Sequence, residues 1–268
     1  MNIGVIGVIG CGFVGGALFE CFKNKNQNIV AYDKYKNIGS IKGVINSDII
    51  FLCLPTLFNE ETQDYDTLAL EETCDILSKV NYQNAVIIKS TVTPGTCQHY
   101  AEKYKLNIIH NPEFLTASTA LKDFENQKHI VLGPTSNVHP NMVDKIVAFY
   151  QKLFDSAYVS TCTSMESEVM KLTCNCFYAT KVQFFNEIYA LMNQNQESYN
   201  KVIELCLRNG WIHPMHTQVP GTDGKLSYGG MCFPKDTRAL CVYMEKHGII
   251  NSVLKATVNE QKSMREDV

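Results

Sequence analysis

Along the first three-fifths of the chain, short runs rich in Val, Ile and Leu alternate with stretches whose apolar residues recur every three or four positions. The runs fall at 3–9, 28–33, 48–54, 85–90, 107–110, 129–133 and 158–160. They are nearly continuous rather than alternating, which is the pattern of strands buried on both faces. Such strands separated by helical patterns predict an α/β domain over residues 1–160, a Rossmann-type doubly wound parallel sheet. Past residue 160 the texture changes. Between Pro140 and Gly210 there is neither glycine nor proline, and from Met165 to Met192 the residues Val169, Leu172, Cys176, Ala179, Phe184, Ile188 and Leu191 keep helical spacing. One long helix is predicted there. The polar stretch 193–200 ends it, and Ser198 is placed to cap a second helix closing near Asn209 and Gly210. A glycine-rich loop from Gly210 to Lys235 then leads into helices near 236–246 and 250–265. Residues 161–268 are thus expected to form an all-helical segment.

Charge and composition narrow the partner. The chain has 268 residues and a formal charge of −3, with Lys and Arg scattered, so it carries no electrostatic footprint for nucleic acid or an anionic membrane. No apolar stretch approaches the ~20 residues of a membrane span, and no basic segment precedes the first strand pattern. A small-molecule partner is the expectation. Eleven cysteines with few paired spacings read as thiols in a reducing compartment, with the cytoplasm as the expected location. His213 and His216 lack an acidic or thiol partner at a metal-ligand spacing, so no metal is expected and the pair is assigned to shaping a loop. The acidic run 59–66 is expected as a solvated loop.

Three constellations carry chemistry. Gly10-Cys11-Gly12-Phe13-Val14-Gly15 follows a strand, opens a helical pattern and lies 18 residues before Asp33 at the end of the next strand. In that context Gly10 permits a tight turn, Gly12 lets backbone approach a pyrophosphate, and Gly15 lets helix pack on strand. Asp33 suits ribose hydroxyls and repels a 2′-phosphate, favouring NAD over NADP, although Lys34 and Lys36 soften that preference. The second is Ser227-Tyr228-Gly229-Gly230-Met231-Cys232-Phe233-Pro234-Lys235-Asp236-Thr237. A thiol at Cys232 can add to an aldehyde, and the adduct can lose a hydride to leave a thioester; Lys235 and the following helix N-terminus favour the thiolate. The third is Lys171 and Asn175, four apart on one face of the long helix, able to move a proton or hold an oxyanion.

Together these residues resemble the UDP-glucose/GDP-mannose dehydrogenase family over essentially the whole chain. Besides the fingerprint and the cysteine loop, the resemblance rests on Lys89-Ser90-Thr91-Val92-Thr93-Pro94-Gly95-Thr96, on Asn111-Pro112-Glu113-Phe114-Leu115, and on Glu168-Val169-Met170-Lys171-Leu172 with Asn175 and Asn186-Glu187. It implies a four-electron oxidation of a nucleotide sugar, such as UDP-glucose to UDP-glucuronate, consuming two NAD. By that analogy Cys232 is the nucleophile, Asp236 and Lys171 handle protons and the hydrolytic water, Asn175 stabilises the oxyanion, Thr91 positions water and Glu113 lies by the reacting carbon. Gly10, Gly12, Phe13, Val14, Gly15, Asp33, Thr91 and Lys235 are the implied cofactor contacts. The long helix, 165–192, is the implied homodimer interface.

The chain departs from the family pattern twice. Ala117 stands where members carry a second glutamate, three residues after the Phe of the Pro-Glu-Phe motif. Members also continue into a C-terminal nucleotide-binding domain that this chain, ending at Val268, is expected to lack, so that either the nucleotide is held by something else, such as a partner subunit or the loop 211–225, or the substrate is smaller, or the sequence is a piece of a longer protein. Two other readings stay open: a two-electron β-hydroxyacid-type dehydrogenase, which needs no cysteine, and a non-catalytic NAD-binding remnant.

Overall fold

The computed structural model describes residues 3–265 and Asp267; Met1 and Asn2, with which the expected first domain opens, and Glu266 and Val268 lie outside the described residues. In chain order the elements are β1 (Val5–Ile9), α1 (Phe13–Asn24), β2 (Asn28–Tyr32), α2 (Ile41–Val44), β3 (Ile49–Leu52), β4 (Phe58–Asn59), β5 (Asp64–Tyr65), α3 (Leu68–Lys79), β6 (Ala85–Ile88), α4 (Thr96–Tyr104), β7 (Asn107–His110), α5 (Ala120–Glu125), β8 (His129–Pro134), α6 (Pro140–Leu153), β9 (Tyr158–Thr161), α7 (Ser164–Gln194), α8 (Tyr199–Arg208), α9 (Phe233–Lys246) and α10 (Ser252–Met264). Two compact units divide the chain. One takes the residues up to Leu57 and Tyr65–Lys171; the other takes Phe58–Asp64 and the residues from Leu172 onward.

The first unit is built on a seven-stranded sheet in the order β2-β1-β3-β6-β7-β8-β9. Each predicted apolar run supplies one of these strands. Successive residues of β3 serve opposite faces: Ile49 and Phe51 join a core with Phe22, Phe124, Phe149 and Tyr150, while Ile50 and Leu52 join Leu70, Leu77 and Tyr100. Two-sided burial is therefore the physical reason the strands read as unbroken apolar runs. Phe22 anchors the first core, meeting Phe51, Phe124 and Phe149 edge-on at centroid distances of 5.7, 5.8 and 5.5 Å.

The sheet is mostly, not wholly, parallel. β2, β1, β3, β6 and β7 run parallel, but β8 pairs with β7 antiparallel, with His110 opposite Gly133, and β9 is parallel to β8. The connection between β7 and β8 consists of the irregular Pro-Glu-Phe loop, a single 3₁₀ turn and the six-residue helix α5.

In the second unit, Phe185 on α7 packs with Tyr199 and Ile203 on α8 and with Val219. Ser198 caps α8 as expected, its Oγ accepting from Lys201 N at 3.2 Å. Two expectations are corrected. α9 begins at Phe233, not near Asp236, because Pro234 falls in its first turn, where a missing N–H is harmless. Residues 59–66 are not a plain solvated loop: β4 and β5 form a small hairpin, and Arg238 of α9 donates to Glu60 Oε1 at 2.6 Å while Lys246 Nζ donates to Gln63 O at 3.1 Å. That segment's charge is used to fasten it to α9. Among the described residues no helix is long and apolar enough to cross a membrane.

Candidate active site

The glycine turn after β1 meets the steric demands read from it. Gly10 has φ +89°, and a Cβ there would lie 2.4 Å from Cys53 O; a Cβ on Gly15 would lie 1.8 Å from Gly10 O. Beside Gly12, by contrast, nothing lies within 4 Å, so backbone is presented to open space at the N-terminus of α1, where no side chain caps the first N–H groups. A cavity of about 880 Å³ opens there, lined by Gly12, Phe13, Lys36 and Ala117 among others. Phe13 is exposed on the first turn of α1, and Val14 is half-buried beneath it.

Asp33 is tied to this turn. Its Oδ2 accepts from Cys11 N at 2.8 Å and its Oδ1 from Tyr35 N and Lys36 N at 3.0 Å. Burial works against its ionisation, but the N–H groups of Cys11, Lys36 and Tyr35 outweigh it and hold the carboxyl below the usual range. Lys36 Nζ closes the turn by donating to Cys11 O at 2.6 Å. From the sequence Lys36 appeared only as a charge blurring the NAD preference; its reach back across 25 residues to the fingerprint is a tertiary fact.

At the carboxyl edge of β6 and β7, still within the first unit, the first turns of α7 are pinned by buried polar groups. Glu168 accepts from Gly95 N at 2.6 Å and Cys97 N at 2.8 Å, a carboxylate set on the N-terminus of α4. Ser167 Oγ lies 2.8 Å from His110 Nδ1. Lys171 Nζ donates to Glu113 O at 2.6 Å and sits 3.3 Å from Glu113 Oε1, with the ammonium 5.0 Å above the Phe114 ring. Lys89, another buried ammonium, donates to Asn111 O at 2.9 Å and Oδ1 at 3.0 Å, and burial pushes its pKa down to about 8. Two lysines thus hold the carbonyls of Asn111 and Glu113 on either side of Pro112. Thr91 stands nearby in sequence, buried, its carbonyl accepting from Thr56 Oγ1 at 2.7 Å. Lys89, Glu168 and His110 belong to or adjoin the motifs noted above, yet nothing in their spacing discloses these bonds.

His110 gives this edge a pH dependence. Full burial, opposed by a bond to Ser90 backbone and reinforced by the charges of Lys89 and Lys171, pushes its pKa down to about 3. The unfolded chain binds a proton near pH 6.5 that the folded one refuses, so stability falls as pH drops from about 6.5 toward 3. Between pH 7 and 5 the loss from this group should be about 2 kcal/mol. Urea unfolding of wild type and His110→Gln at both pH values checks it; equal slopes in the two proteins would exclude His110 as the source.

The second unit carries the cysteine. Cys232 is exposed and is the residue before the first turn of α9, its carbonyl accepting from Asp236 N at 3.0 Å. Asp236 is buried with no exposed surface. Its Oδ2 accepts from Asn175 Nδ2 at 2.6 Å, its Oδ1 from Lys235 Nζ at 2.5 Å, and its carbonyl oxygen from Cys176 Sγ at 3.6 Å. Asn175, Asp236 and Lys235 are therefore brought together, as Lys171 and Glu113 are in the first unit. His216 lies between Tyr178 and Phe233 at ring distances of 4.8 and 5.5 Å, and Lys181 Nζ holds its loop through His213 O and Met215 O. That packing accords with the loop-shaping role read for the two histidines.

Comparison with known proteins bears on this arrangement. Residues 37–153 match the NAD binding domain of the UDP-glucose/GDP-mannose dehydrogenase family, and residues 165–262 match the same family's central domain. The chain belongs to that family. It is similar to the UDP-glucose 6-dehydrogenase of Campylobacter jejuni, 27% identical over 94% of this chain and 70% of that protein, and to that of Rickettsia prowazekii, 31% identical over 81% of this chain and 50% of that protein. It thus spans between half and seven-tenths of the length of these two relatives. The fold also matches a UDP-glucose dehydrogenase structure from Pyrobaculum islandicum, with a TM-score of 0.87 and 21% identity over 98% of this chain and 68% of that one.

For a UDP-glucose/GDP-mannose dehydrogenase the cofactor is NAD, and the first unit fits it. Open space beside Gly12, uncapped N–H groups on α1 and the Asp33 carboxylate held on Cys11 N of the same turn suit a pyrophosphate next to a ribose with free hydroxyls. Ala117 lines the cavity beside Gly12 with a methyl group.

Proposed function

We propose that the chain acts as an NAD-dependent nucleotide-sugar 6-dehydrogenase, converting a primary alcohol to a carboxylate by way of a thioester on Cys232, with UDP-glucose to UDP-glucuronate as the reference reaction. The observation that carries this reading is an exposed cysteine at the N-cap of α9 with buried Asn175 and Asp236 and the half-buried Lys235 gathered one turn behind it. A simple two-electron dehydrogenase has no use for that assembly.

NAD, when bound, accepts one hydride in each of the two oxidations. The residues of the chain do the rest. Lys171, as the neutral amine, takes the alcohol proton, and the ammonium so formed holds the oxygen as it becomes anionic, with Asn175 donating a second hydrogen bond. Cys232 sulfur bonds to the aldehyde carbon while its proton passes to the oxygen; loss of the second hydride and that proton leaves a thioester. Water, positioned by Thr91 and deprotonated with the help of Asp236, displaces the sulfur and regenerates the thiol. Glu113 stands by the reacting carbon and orients Lys171 through their shared bonds. Gly10, Gly12, Phe13, Val14, Gly15, Asp33 and Thr91 on residues 1–160, together with Lys235, are the proposed contacts of the dinucleotide, and the helical segment 161–268 supplies the cysteine chemistry.

The long helix α7 supports a homodimer. Phe177, Phe184 and Leu191, seven residues apart and each more than half exposed, form one apolar stripe along it. Phe184→Glu should convert a dimer to a monomer in sedimentation velocity; an unchanged sedimentation coefficient would remove this face as the interface. A reducing compartment, the cytoplasm, is proposed for a protein whose eleven cysteines show few paired spacings.

Counting NADH per nucleotide sugar tests the whole reading. Two per substrate is expected over a panel of UDP- and GDP-sugars. One would favour the two-electron β-hydroxyacid-type reaction, and none, at intact fold and NAD affinity, would leave a binding module.

A further inference from the structure

We infer that Arg265 is a positioning residue for Cys232, acting through the glycine loop that precedes it. The inference rests on the cysteine chemistry proposed above.

The loop 221–231 has little apolar content of its own, so its shape must come from polar anchors. Ser227 adopts φ +60°, a left-handed conformation that a non-glycine residue takes only where its surroundings enforce it. The enforcing groups come from two helices. On α7, Asn186 Oδ1 accepts from Ser227 N at 2.9 Å and Gln183 Oε1 accepts from Ser227 Oγ at 2.5 Å. On α10, Gln261 Nε2 donates to Tyr228 O at 3.5 Å, and Tyr228 OH donates to Thr257 O at 3.4 Å. Arg265 follows α10 directly.

Its guanidinium closes the set. Nη1 donates to Ser227 O at 3.5 Å, Nη2 to Asp223 Oδ2 at 2.7 Å, and Nε to Asp267 Oδ1 at 3.0 Å. The side chain is 5% exposed, so a cation is buried there and held by carboxylates on both sides. The decisive contact is steric. A Cβ on Gly229 would lie 2.5 Å from Arg265 Cζ and 2.6 and 2.7 Å from its two terminal nitrogens. The planar guanidinium thus occupies the space that any side chain at 229 would need, three residues before the thiol. A lysine cannot reproduce that, since its ammonium offers neither the flat face nor the fork. Gly229 is a glycine because of Arg265, and the pair fixes where the chain enters α9 and therefore where Cys232 sits.

Alkylation of Cys232 by iodoacetamide, followed by mass spectrometry of its peptide, reads this position without any sugar substrate. Arg265→Ala should slow that alkylation at least fivefold and lower kcat 10- to 100-fold, with the affinity for NAD unchanged. Gly229→Ala alone should do the same by collision. Gly229→Ala with Arg265→Ala should be less impaired than the sum of the two, because the methyl enters vacated space. Arg265→Lys, which keeps the charge, should remain impaired and serves if the alanine variant does not fold. Wild-type alkylation rate and kcat in Arg265→Ala or Arg265→Lys, despite a lowered Tm, would reduce Arg265 to a structural residue, as would strict additivity of the double variant. Altered alkylation in a protein that oxidises no nucleotide sugar would uphold the positioning role while removing the dehydrogenase reading.

Discussion

Cys232→Ser is expected to stop the reaction after its first oxidation and to lower steady-state turnover on the order of 10⁴-fold or more, the scale seen when a covalent nucleophile is removed. A serine hydroxyl at the start of α9 is a far weaker nucleophile at neutral pH than a thiol, so the second hydride has no efficient adduct from which to leave. Rapid-mixing absorbance at 340 nm should register at most one NADH per active site, followed by a phase slower by that factor. Two NADH per substrate at near wild-type rate would mean that the sulfur has no part in the chemistry. The variant should fold normally, because Cys232 is exposed and serine keeps the backbone carbonyl that accepts from Asp236 N.

Lys171→Met should lower kcat by roughly 10²–10⁴-fold, the usual range for a positioned proton-transfer group, while leaving NAD affinity within a few fold. The size of the effect follows from burial. Lys171 is 4% exposed, and its ammonium is the group that Glu113 O and Oε1 face at 2.6 and 3.3 Å. Removing it takes away a donor that solvent is poorly placed to replace, and leaves Glu113 without its counter-ion. Methionine keeps the volume of the stem but leaves Glu113 without its donor, so Tm should fall as well, and the kinetics are to be measured well below the variant's own melting transition. Steady-state kinetics with NAD binding measured separately distinguishes the roles: a fall in NAD affinity with kcat preserved would assign Lys171 to holding the fold of the Pro-Glu-Phe loop instead of to catalysis.

Much of this architecture is a local property of the chain. The seven sheet strands were readable because burial on both faces demands runs such as Ile49-Ile50-Phe51-Leu52, which resemble nothing else in a polar chain. The long helix was readable because about thirty residues without glycine or proline, apolar at helical spacing, have no other way to satisfy their backbone. Gly10, Gly12, Gly15 and Asp33 were legible for the same reason: their roles depend on the geometry of one turn. That residues 227–232 form a loop was readable because Gly-Gly before a thiol and Pro-Lys-Asp after it suit neither a strand interior nor a helix interior.

What only the tertiary structure decided are the pairings between residues far apart in sequence. That Glu168 caps α4, that Lys89 and Lys171 grip Asn111 and Glu113, that Lys36 bonds Cys11, and that Arg265 lies against Gly229 are contacts spanning 22 to 73 residues. The antiparallel turn of β8 and the docking of the 58–64 segment on α9 are of the same kind. Spacing along a chain reports which residues share a helix face or a strand face, since those periods are set by the backbone; it carries no record of which face meets which, because that is settled by shape and by buried polar groups finding partners as the elements pack.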